Sequence, residues 1–362
     1  MAYRVIQWGT GNVGKHGLRL IVERPDFELA GVRVYNPDKV GVDAGDLLGS
    51  SPTGILATDD VEAILALDAD CVAYSPLGGV LDGGKQAIED ITRLLESGKN
   101  VVSSAVEEHA YFRPDIRLNA AVGVGERLQE ACRKGGTSFF HIGINPGFAM
   151  DMWPITMSRL SRRIDHMRVT EIVDMSRYNS IHIVRNILGF GLRPDEPSPI
   201  DAAMGDVYQN PFYLCLRMIV DAIGVSLDDI RYSRETAVAD HPLEIAVGTI
   251  EAGTVAATRF RLDGILHGRP VITLEWVWRI HEHAAPEWPT GDARWLLHID
   301  GDPAIDSEIL LTTDEDARRP DSLAVAALVA NAIPTVCRAE PGVLDNLVLP
   351  PHGGGYFFGP GI

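Results

Sequence analysis

The chain has few cysteines and no long apolar run. Its four cysteines, Cys71, Cys132, Cys215 and Cys337, are far apart and form no C-x-x-C pair, which favours reduced thiols over disulfides or a metal site. No apolar run of about 18 residues is evident, as a membrane-spanning helix requires. No signal-peptide pattern precedes the first predicted strand. We therefore expect a soluble protein of the cytoplasm.

Positive charge is also scarce. Lys and Arg number 32 against 50 Asp and Glu in 362 residues, a formal net charge of −18. This excess of negative charge opposes binding to nucleic acid or to an anionic membrane surface, so we expect a small-molecule partner. Hydrophobic residues make up 46% and charged residues 23% of the chain, as in ordinary globular proteins. The length accommodates two domains, each with its own core.

A glycine-rich turn near the start is the most informative motif. Tyr3–Trp8 has the composition of a buried parallel strand. Three glycines then follow as G-x-G-x-x-G, and a helical pattern begins directly afterwards. The first glycine permits a tight bend, the second lets a pyrophosphate approach, and the third lets helix and strand pack closely. The motif predicts a dinucleotide site made by Gly9, Thr10, Gly11, Asn12, Val13 and Gly14.

The end of the second predicted strand, 27–35, indicates which dinucleotide is bound. In an NAD site, an acidic residue about 20 positions past the glycines binds the ribose 2′-hydroxyl. Here Asn36 stands at that place, with Lys39 close by. A 2′-phosphate would meet an amide and a cation rather than a carboxylate. We therefore predict NADP as the cofactor, and Asp38 in the same loop keeps NAD as the alternative.

Strands and helices alternate as far as residue 142. This alternation predicts a doubly wound parallel sheet and a Rossmann domain over residues 1–147. Ligands on such a sheet bind at the carboxyl ends of the strands. That rule adds Ser75, Pro76, Ser103 and Asn145 to the predicted cofactor site. The predicted strands are 55–58, 71–74, 100–103 and 137–142, and the predicted helices are 61–67, 84–97 and 117–134.

Two adjacent carboxylates, Glu107 and Glu108, precede His109 just past one of these strand ends. At that edge of the sheet they are well placed to face a nicotinamide. A carboxylate there can take up a proton, stabilise a cation or orient a water molecule. The alternative interpretation is a solvated polar loop.

The pattern changes after residue 148. Helices are predicted at 149–160, 181–190 and 210–224, followed by strand-like runs at 230–239, 243–250, 254–267 and 270–283. In the last run, apolar residues such as Trp276 alternate with Glu275 and others, which predicts an antiparallel sheet with one buried and one wetter face.

The second half therefore predicts an α+β domain with a mostly antiparallel sheet, residues 148–320. A second copy of the chain commonly covers such an open sheet, so we expect a homodimer through it. A C-terminal segment, 321–362, begins with a helix that returns to the first domain. The histidines show no metal-ligand spacing, so no metal site is predicted.

Six short segments, in order along nearly the whole chain, carry a resemblance to a known family. They are V-I-Q-W-G-T-G-N-V-G from Val5, V-Y-N-P-D-K-V-G from Val34, G-K-N-V-V-S-S from Gly98, E-E-H-A-Y from Glu107, G-I-N-P-G-F-A-M-D from Gly143 and N-A-I-P from Asn331. With these segments the chain resembles the dihydrodipicolinate reductase-like oxidoreductases, in particular the branch of 2,4-diaminopentanoate dehydrogenase and the native amine dehydrogenases. The paired-histidine and lysine catalytic segment of dihydrodipicolinate reductase itself is absent, which argues against a role in lysine biosynthesis.

The resemblance implies NAD(P)-dependent oxidative deamination of a small amine, or reductive amination of a ketone or aldehyde with ammonia. The family's catalytic glutamate falls in the loop after strand 100–103, so Glu107 or Glu108 takes this role. Two alternatives stay open: a carbonyl or alcohol oxidoreductase that uses no ammonia, and a non-catalytic NADP-sensing dimer. The residues expected to form an apolar substrate wall are Phe140, Phe148, Met152, Trp153, Tyr178 and Phe212.

Overall fold

The computed structural model describes residues 2–76, 84–105, 107–113, 115–116, 123–210, 212–313 and 319–354. The chain forms two compact units. The first unit combines Met1–Gly147 with Glu315–Ile362, and the second is Phe148–Asp314. The four cysteines are free thiols, as their spacing predicts.

A seven-stranded parallel sheet forms the core of the first unit and confirms the predicted Rossmann fold. Its strands are β1 (Tyr3–Trp8), β2 (Phe27–Arg33), β3 (Ala57–Thr58), β4 (Cys71–Tyr74), β5 (Asn100–Ser103), β6 (Ser138–His141) and β15 (Gly342–Leu344). Their order is β15-β6-β5-β4-β1-β2-β3, and each neighbouring pair runs parallel. The strand order reverses between β1 and β4, which is where ligands bind on such sheets.

Helices cover both faces of this sheet. They are α1 (Asn12–Glu23), α2 (Ala44–Leu48), α3 (Val61–Ala66), α4 (Lys85–Glu96), α5 (Val124–Gly135) and α9 (Pro320–Arg338). Side chains of α3, α4 and α5 pack on one face around Trp8 and Phe139. Side chains of α1 and α9 pack on the other around Val5 and Phe140, because successive strand residues point to opposite faces. Residues 117–122, the predicted start of α5, lie outside the described residues.

Helix α9 is long and apolar enough, by length and composition alone, to cross a membrane, with a mean hydropathy of 1.4. This corrects the expectation that no apolar run of that length is present. It is the one such helix within the described ranges. In the structure it packs on the sheet, and Val329, Ile333 and Val336 are each at most 2% exposed.

The segment after α9 adds an edge strand that the sequence patterns do not predict. Strand β15 pairs parallel with β6, and Gly342 lies opposite Ser138. Three residues are too few to give a periodic signal. The strand nevertheless holds the segment that follows α9 at the edge of the sheet.

A six-stranded, mostly antiparallel sheet organises the second unit, as predicted. Its strands are β7 (Arg163–Asp174), β8 (Asp229–Val238), β11 (Val255–Leu266), β12 (Arg269–Arg279), β13 (Arg294–Asp302) and β14 (Ile305–Leu310). The strand order is β14-β13-β7-β12-β11-β8. Strands β7 and β12 pair parallel, and the other neighbouring pairs are antiparallel.

Two parts of this sheet region differ from prediction. Strand β7 is not predicted, because charged residues such as Arg163, Asp165 and Arg168 interrupt its apolar pattern, yet it lies inside the sheet. The run 243–250 forms a hairpin of β9 (Leu243–Ile245) and β10 (Gly248–Ile250) rather than one strand. Gly248 follows the two-residue turn with a φ of +95°, which glycine adopts without strain.

Strand β12 is buried on both faces, which corrects the predicted wetter face. Thr273, Glu275 and Arg279 are each at most 3% exposed. The buried polar groups are paired: Glu275 accepts hydrogen bonds from Thr170 and Arg261, both at 2.9 Å. A strand with neighbours on both sides buries polar residues when they satisfy one another.

Helices pack on the more apolar face of this sheet, opposite the face to which Thr273, Glu275 and Arg279 of β12 point. They are α6 (Met152–Ser158), α7 (Pro199–Gly205) and α8 (Tyr213–Ile223), with a π-helix at His182–Ile187 where an α-helix was expected. Phe212, just before α8, stacks on Trp276 with ring centroids 4.6 Å apart. Glu171 accepts hydrogen bonds from the indole groups of Trp278 and Trp295 at 2.9 and 3.0 Å.

Candidate nucleotide and active site

The turn between β1 and α1 has the backbone shape that nucleotide binding requires. Gly9 adopts a φ of +90°, which residues with a Cβ rarely adopt. A Cβ at Gly14 would lie 2.1 Å from the carbonyl oxygen of Gly9, so only glycine lets the helix pack here. A Cβ at Gly11, by contrast, would meet no atom within 4 Å. The turn therefore leaves open space where a pyrophosphate can approach the backbone.

The first turn of α1 is suited to an anion. Its N-cap residue, Gly11, makes no side-chain cap, and no acidic residue lies in the first turn. The first N–H groups of a helix have no partner within the helix, and with the helix dipole they attract phosphate. Thr10, Asn12 and Val13 all remain partly or fully exposed here. The residues present thus fit the pyrophosphate of a dinucleotide.

Gln7 supports this turn from below, a role that sequence patterns did not reveal. Its side chain is fully buried, and Nε2 donates to the carbonyl oxygen of Gly9 at 3.0 Å. A Cβ at Gly17 would lie 2.6 Å from Gln7 Oε1. The sequence signal that could have indicated this role is a polar residue inside an otherwise apolar strand.

The loop after β2 places a cation beside the glycine turn. Asn36 is exposed, and its Oδ1 accepts a hydrogen bond from the backbone N–H of Asp38 at 3.0 Å. This caps a short 3-10 helix, Pro37–Lys39. The Lys39 ammonium donates to the carbonyl oxygen and to Oγ1 of Thr10, at 2.9 and 3.1 Å. The structure therefore brings together the predicted residues of the two loops.

The predicted serines at the ends of β4 and β5 differ in access. Ser75 lies against Ser104, with Oγ atoms 3.2 Å apart, and both are partly exposed, as is Pro76. Ser103 is fully buried, and its hydroxyl bonds with the backbone of Ala105. Ser103 therefore shapes the turn, and Ser104 is the accessible serine at the end of β5.

Glu107 and Glu108 lie on a 3-10 helix, Glu107–His109, four residues past β5. The Glu107 side chain reaches solvent, yet protein atoms surround it closely enough to disfavour its charge. This desolvation, and secondly the negative charge of Glu108, raise the pKa of Glu107 to about 7. Glu108 is half-buried, its Oε2 has no protein partner, and burial raises its pKa.

A pair of buried imidazoles lies behind these carboxylates. His109 and His141 are 2% and 1% exposed. Burial lowers the pKa of His109 to about 3, with a smaller contribution from His141, and lowers the pKa of His141 to about 4. Both rings are neutral at physiological pH. Neither ring nitrogen of His109 has a protein partner. His141 was missed in the sequence because it ends an apolar strand.

The segment after β6 forms a tight turn. The backbone N–H of Gly143 donates to the carbonyl oxygen of Pro146 at 3.1 Å. A Cβ at Gly147 would lie 2.7 Å from the backbone of Gly143, and Gly147 has a φ of +134°. Asn145, predicted to bind the cofactor, is half-buried in this turn. It stands past the carboxyl end of β6, as do Glu107 and Glu108 past that of β5.

The predicted wall residues fall into two groups. Phe140 is fully buried in the core under α9, with Val102 and Ile333, and therefore has a packing role. The other five, all in the second unit, are Phe148, Met152, Trp153, Tyr178 and Phe212. Phe148 is 41% exposed, and the others are partly exposed.

Metal ligation finds no support in the part of the chain that the structure describes. There, no group of three or more His, Cys, Asp or Glu side chains is arranged to hold a metal ion.

A doubly wound sheet with a glycine turn of this shape is typical of nicotinamide-dependent oxidoreductases, and relatives of known activity identify the class. Residues 148–352 match the family model of the 2,4-diaminopentanoate dehydrogenase C-terminal domain. Over 356 residues, the chain is 36% identical to an amine dehydrogenase of Streptomyces virginiae, covering 95% of each chain. It is 24% identical to 2,4-diaminopentanoate dehydrogenase of Acetoanaerobium sticklandii, covering 96% of this chain and 93% of the relative.

The chain therefore belongs to the family of 2,4-diaminopentanoate dehydrogenase and the amine dehydrogenases, which confirms the resemblance. A solved structure of an amine dehydrogenase from Mycobacterium smegmatis superposes with a TM-score of 0.72, over 97% of each chain and at 18% identity. At that identity the superposition shows the shared fold.

Proposed function

We propose that the protein is an NAD(P)H-dependent amine dehydrogenase. It would oxidise a small amine to a ketone or aldehyde and ammonia, or run the reverse reductive amination. Its relationship to enzymes named for this activity supports the reaction class. The observation that carries the proposal is the place of Glu107, an exposed carboxylate on the 3-10 helix past the end of β5, where desolvation raises its pKa to about 7.

The chemistry needs one carboxylate that can both accept and return a proton. A nicotinamide nucleotide held at the glycine turn would supply the hydride acceptor, and loss of hydride from the amine carbon would leave an iminium cation on the substrate. Ionised Glu107 stabilises this cation and accepts a proton from the water that attacks it. Protonated Glu107 then returns the proton to nitrogen, and the carboxylate so formed takes up the hydroxyl proton as the C–N bond breaks, so that the carbonyl product forms and ammonia leaves. A pKa near working pH suits a group that performs both steps.

Glu107 is the better candidate of the two glutamates. It is exposed, so a substrate can reach it, whereas Glu108 is half-buried with one oxygen enclosed. The negative charge of Glu108 contributes to the raised pKa of Glu107. We assign Glu107 to proton transfer and Glu108 to tuning its pKa.

The preferred cofactor is NADP in this proposal. The loop after β2 offers the amide of Asn36 and the ammonium of Lys39, which lies 2.9 Å from Thr10 of the glycine turn. A cation next to the turn attracts a 2′-phosphate. Asp38 lies in the same 3-10 helix as Lys39 and is the feature that favours NAD.

A homodimer through the second unit's sheet also belongs to the proposal. The face of this sheet opposite the helices is polar, with exposed Arg168 on β7 and half-buried His298 on β13. A pocket of about 470 Å³ lies on this face, and its lining includes the positively charged Arg168 and the negatively charged Glu275 and Glu308. A face of mixed charge can pair with its own copy around a two-fold axis. Light scattering at several protein concentrations would give twice the chain mass of 39.4 kDa, and a monomer would contradict the dimer.

The function is tested by ammonia-dependent oxidation of NADPH with a panel of small ketones and aldehydes. We expect turnover only when carbonyl and ammonia are both present. Glu107→Gln should lower kcat by about 10²- to 10⁴-fold, the usual contribution of a general acid–base. Glu108→Gln should retain most of the activity. Turnover without ammonia would instead identify a carbonyl reductase, and NADPH binding without turnover across the panel would favour a sensor.

A further inference from the structure

The loop that carries the glutamates ends in a long-range ion pair. We call the segment Glu107–Arg113 the glutamate loop. Its last residue, Arg113, donates a hydrogen bond from Nη1 to Oδ2 of Asp345 at 2.8 Å, and the two residues are 232 positions apart in the chain. The Asp345 side chain is 9% exposed and that of Arg113 is 31% exposed. Water screens such a pair less than one on the surface.

Asp345 is itself held in place. It directly follows β15, which pairs with β6 at Leu344 and Phe140. Its second oxygen, Oδ1, accepts hydrogen bonds from the backbone N–H groups of Leu347 and Val348 at 2.8 and 3.1 Å. One carboxylate oxygen thus fixes the turn after β15, and the other is aimed at Arg113.

Arg113 connects the fixed carboxylate of Asp345 to other residues of the glutamate loop. Its guanidinium lies 3.9 Å from the ring centroid of Tyr111, which is 1% exposed. It also donates to the carbonyl oxygen of Phe112 at 2.7 Å. Phe112 in turn meets His109 edge-to-face, with centroids 5.7 Å apart. The contacts run without a break from Asp345 to the 3-10 helix of the glutamates.

From these contacts we propose that Asp345 is a positioning residue for Glu107, acting through Arg113. The segment after α9 then does more than complete the sheet: it fixes the orientation of the proton-transfer group. This inference rests on the proposed function of Glu107. A misplacement of about 1 Å can cost up to about 100-fold in rate, so even a modest loosening of the loop is measurable.

Asp345→Asn is the sharpest test because it changes one contact. The amide keeps an oxygen for the N–H groups of Leu347 and Val348 and loses the charge that faces Arg113. We expect kcat for ammonia-dependent reduction to fall about tenfold or more, with the Kd of NADPH unchanged within about twofold. The kinetic ionisation near pH 7 should move to lower pH, because a loosened loop exposes Glu107 to more water. Asp345→Glu, which keeps the charge, should recover part of the rate.

Hydrogen–deuterium exchange provides a readout that needs no turnover. Amides of residues 107–113 should exchange faster in Asp345→Asn than in the wild type. The matched control is Asp26→Asn, which removes an ion pair with Arg24 of 2.7 Å in the same unit and should change neither the exchange of the loop nor kcat.

The outcomes test the positioning role of Asp345 separately from the proposed function of Glu107. Wild-type exchange and kcat in Asp345→Asn would overturn the positioning role. If that variant does not fold, Arg113→Lys, which keeps the charge but loses the planar stacking on Tyr111, is judged by the same two readouts. If the wild type shows no ammonia-dependent turnover, the proposed function fails, while the exchange rates still decide whether Asp345 holds the loop.

Discussion

The glycine turn, Gly9–Gly14, and the glutamate loop both follow strands of one sheet, yet they are fixed in different ways. The turn depends on its own backbone: Gly9 needs a positive φ, and Gly14 leaves no room for a Cβ. The glutamate loop depends on residues far along the chain, His141 and Asp345. The half of the site that would hold the cofactor is therefore encoded locally, and the half proposed to perform proton transfer is encoded by tertiary contacts.

The two regions also differ in electrostatics. The turn presents helix N–H groups and a nearby lysine, which attract anions. The glutamate loop concentrates groups whose pKa values are displaced by burial, in Glu107, Glu108 and His109. Substitutions in the turn should change binding, and substitutions in the loop should change rate and pH dependence.

The largest effect expected on nucleotide binding comes from two alanine substitutions within the turn. Gly11→Ala adds a methyl group that meets no protein atom, so stability should be unchanged, while the Kd of NADPH rises by about 100-fold because the pyrophosphate is displaced. Gly14→Ala places Cβ 2.1 Å from the Gly9 carbonyl oxygen. It should therefore lose both binding and thermal stability.

Thermal unfolding without cofactor and fluorescence titration with NADPH separate these two effects. A Gly11→Ala protein that binds NADPH as tightly as the wild type would show that the pyrophosphate does not occupy the open space above the turn.

A smaller effect is expected at the junction of the turn and the β2 loop. Lys39→Met removes the ammonium that bonds to Thr10. The Kd of NADPH should rise about tenfold, the value of one charge-assisted hydrogen bond, whereas the Kd of NADH should change little. Lys134→Met, which removes an exposed lysine of α5, is the control. An equal rise for both nucleotides would mean that Lys39 only supports the turn.

At pH 7 the smallest effect is expected at the loop, where the change is one of acid sensitivity and grows as the pH falls. His109 has a folded pKa of about 3 against an ordinary value of 6.5, so the unfolded chain binds the proton first as pH falls. Its neutral form therefore contributes stability above pH 6.5 that is lost between pH 6.5 and 3. His109→Phe should remove about 1.4 kcal/mol per pH unit from the slope of unfolding free energy over that range.

Urea unfolding at pH 4.5, 5.5 and 7 measures this slope. At pH 7 the phenylalanine variant should be no less stable, since neither imidazole nitrogen has a protein partner. His182→Phe, at an exposed histidine of the second unit, should leave the slope unchanged. A wild-type slope in His109→Phe would refute the buried neutral imidazole.

Much of the fold, and the backbone shape of the glycine turn, could be predicted from the sequence. Strands with apolar runs, such as β1 and β4, and the glycine spacing are local signals. Strand β7 was missed because charged residues interrupt its apolar pattern, and one of them, Glu171, meets the indole groups of Trp278 and Trp295 only in the folded sheet. The buried polar face of β12 likewise depends on partners from neighbouring strands. His141 and Asp345 could not be found, because their importance comes from contacts that no spacing along the chain reveals.

The most direct test of the account is the pH dependence of kcat for oxidative deamination, measured for the wild type, Glu107→Gln and Glu108→Gln. In the wild type kcat should rise with pH through about 7 as Glu107 ionises. Removing the charge of Glu108 should move that midpoint to lower pH, and Glu107→Gln should abolish it. A midpoint near 7 that survives in Glu107→Gln would contradict the assignment of Glu107 as the proton-transfer group.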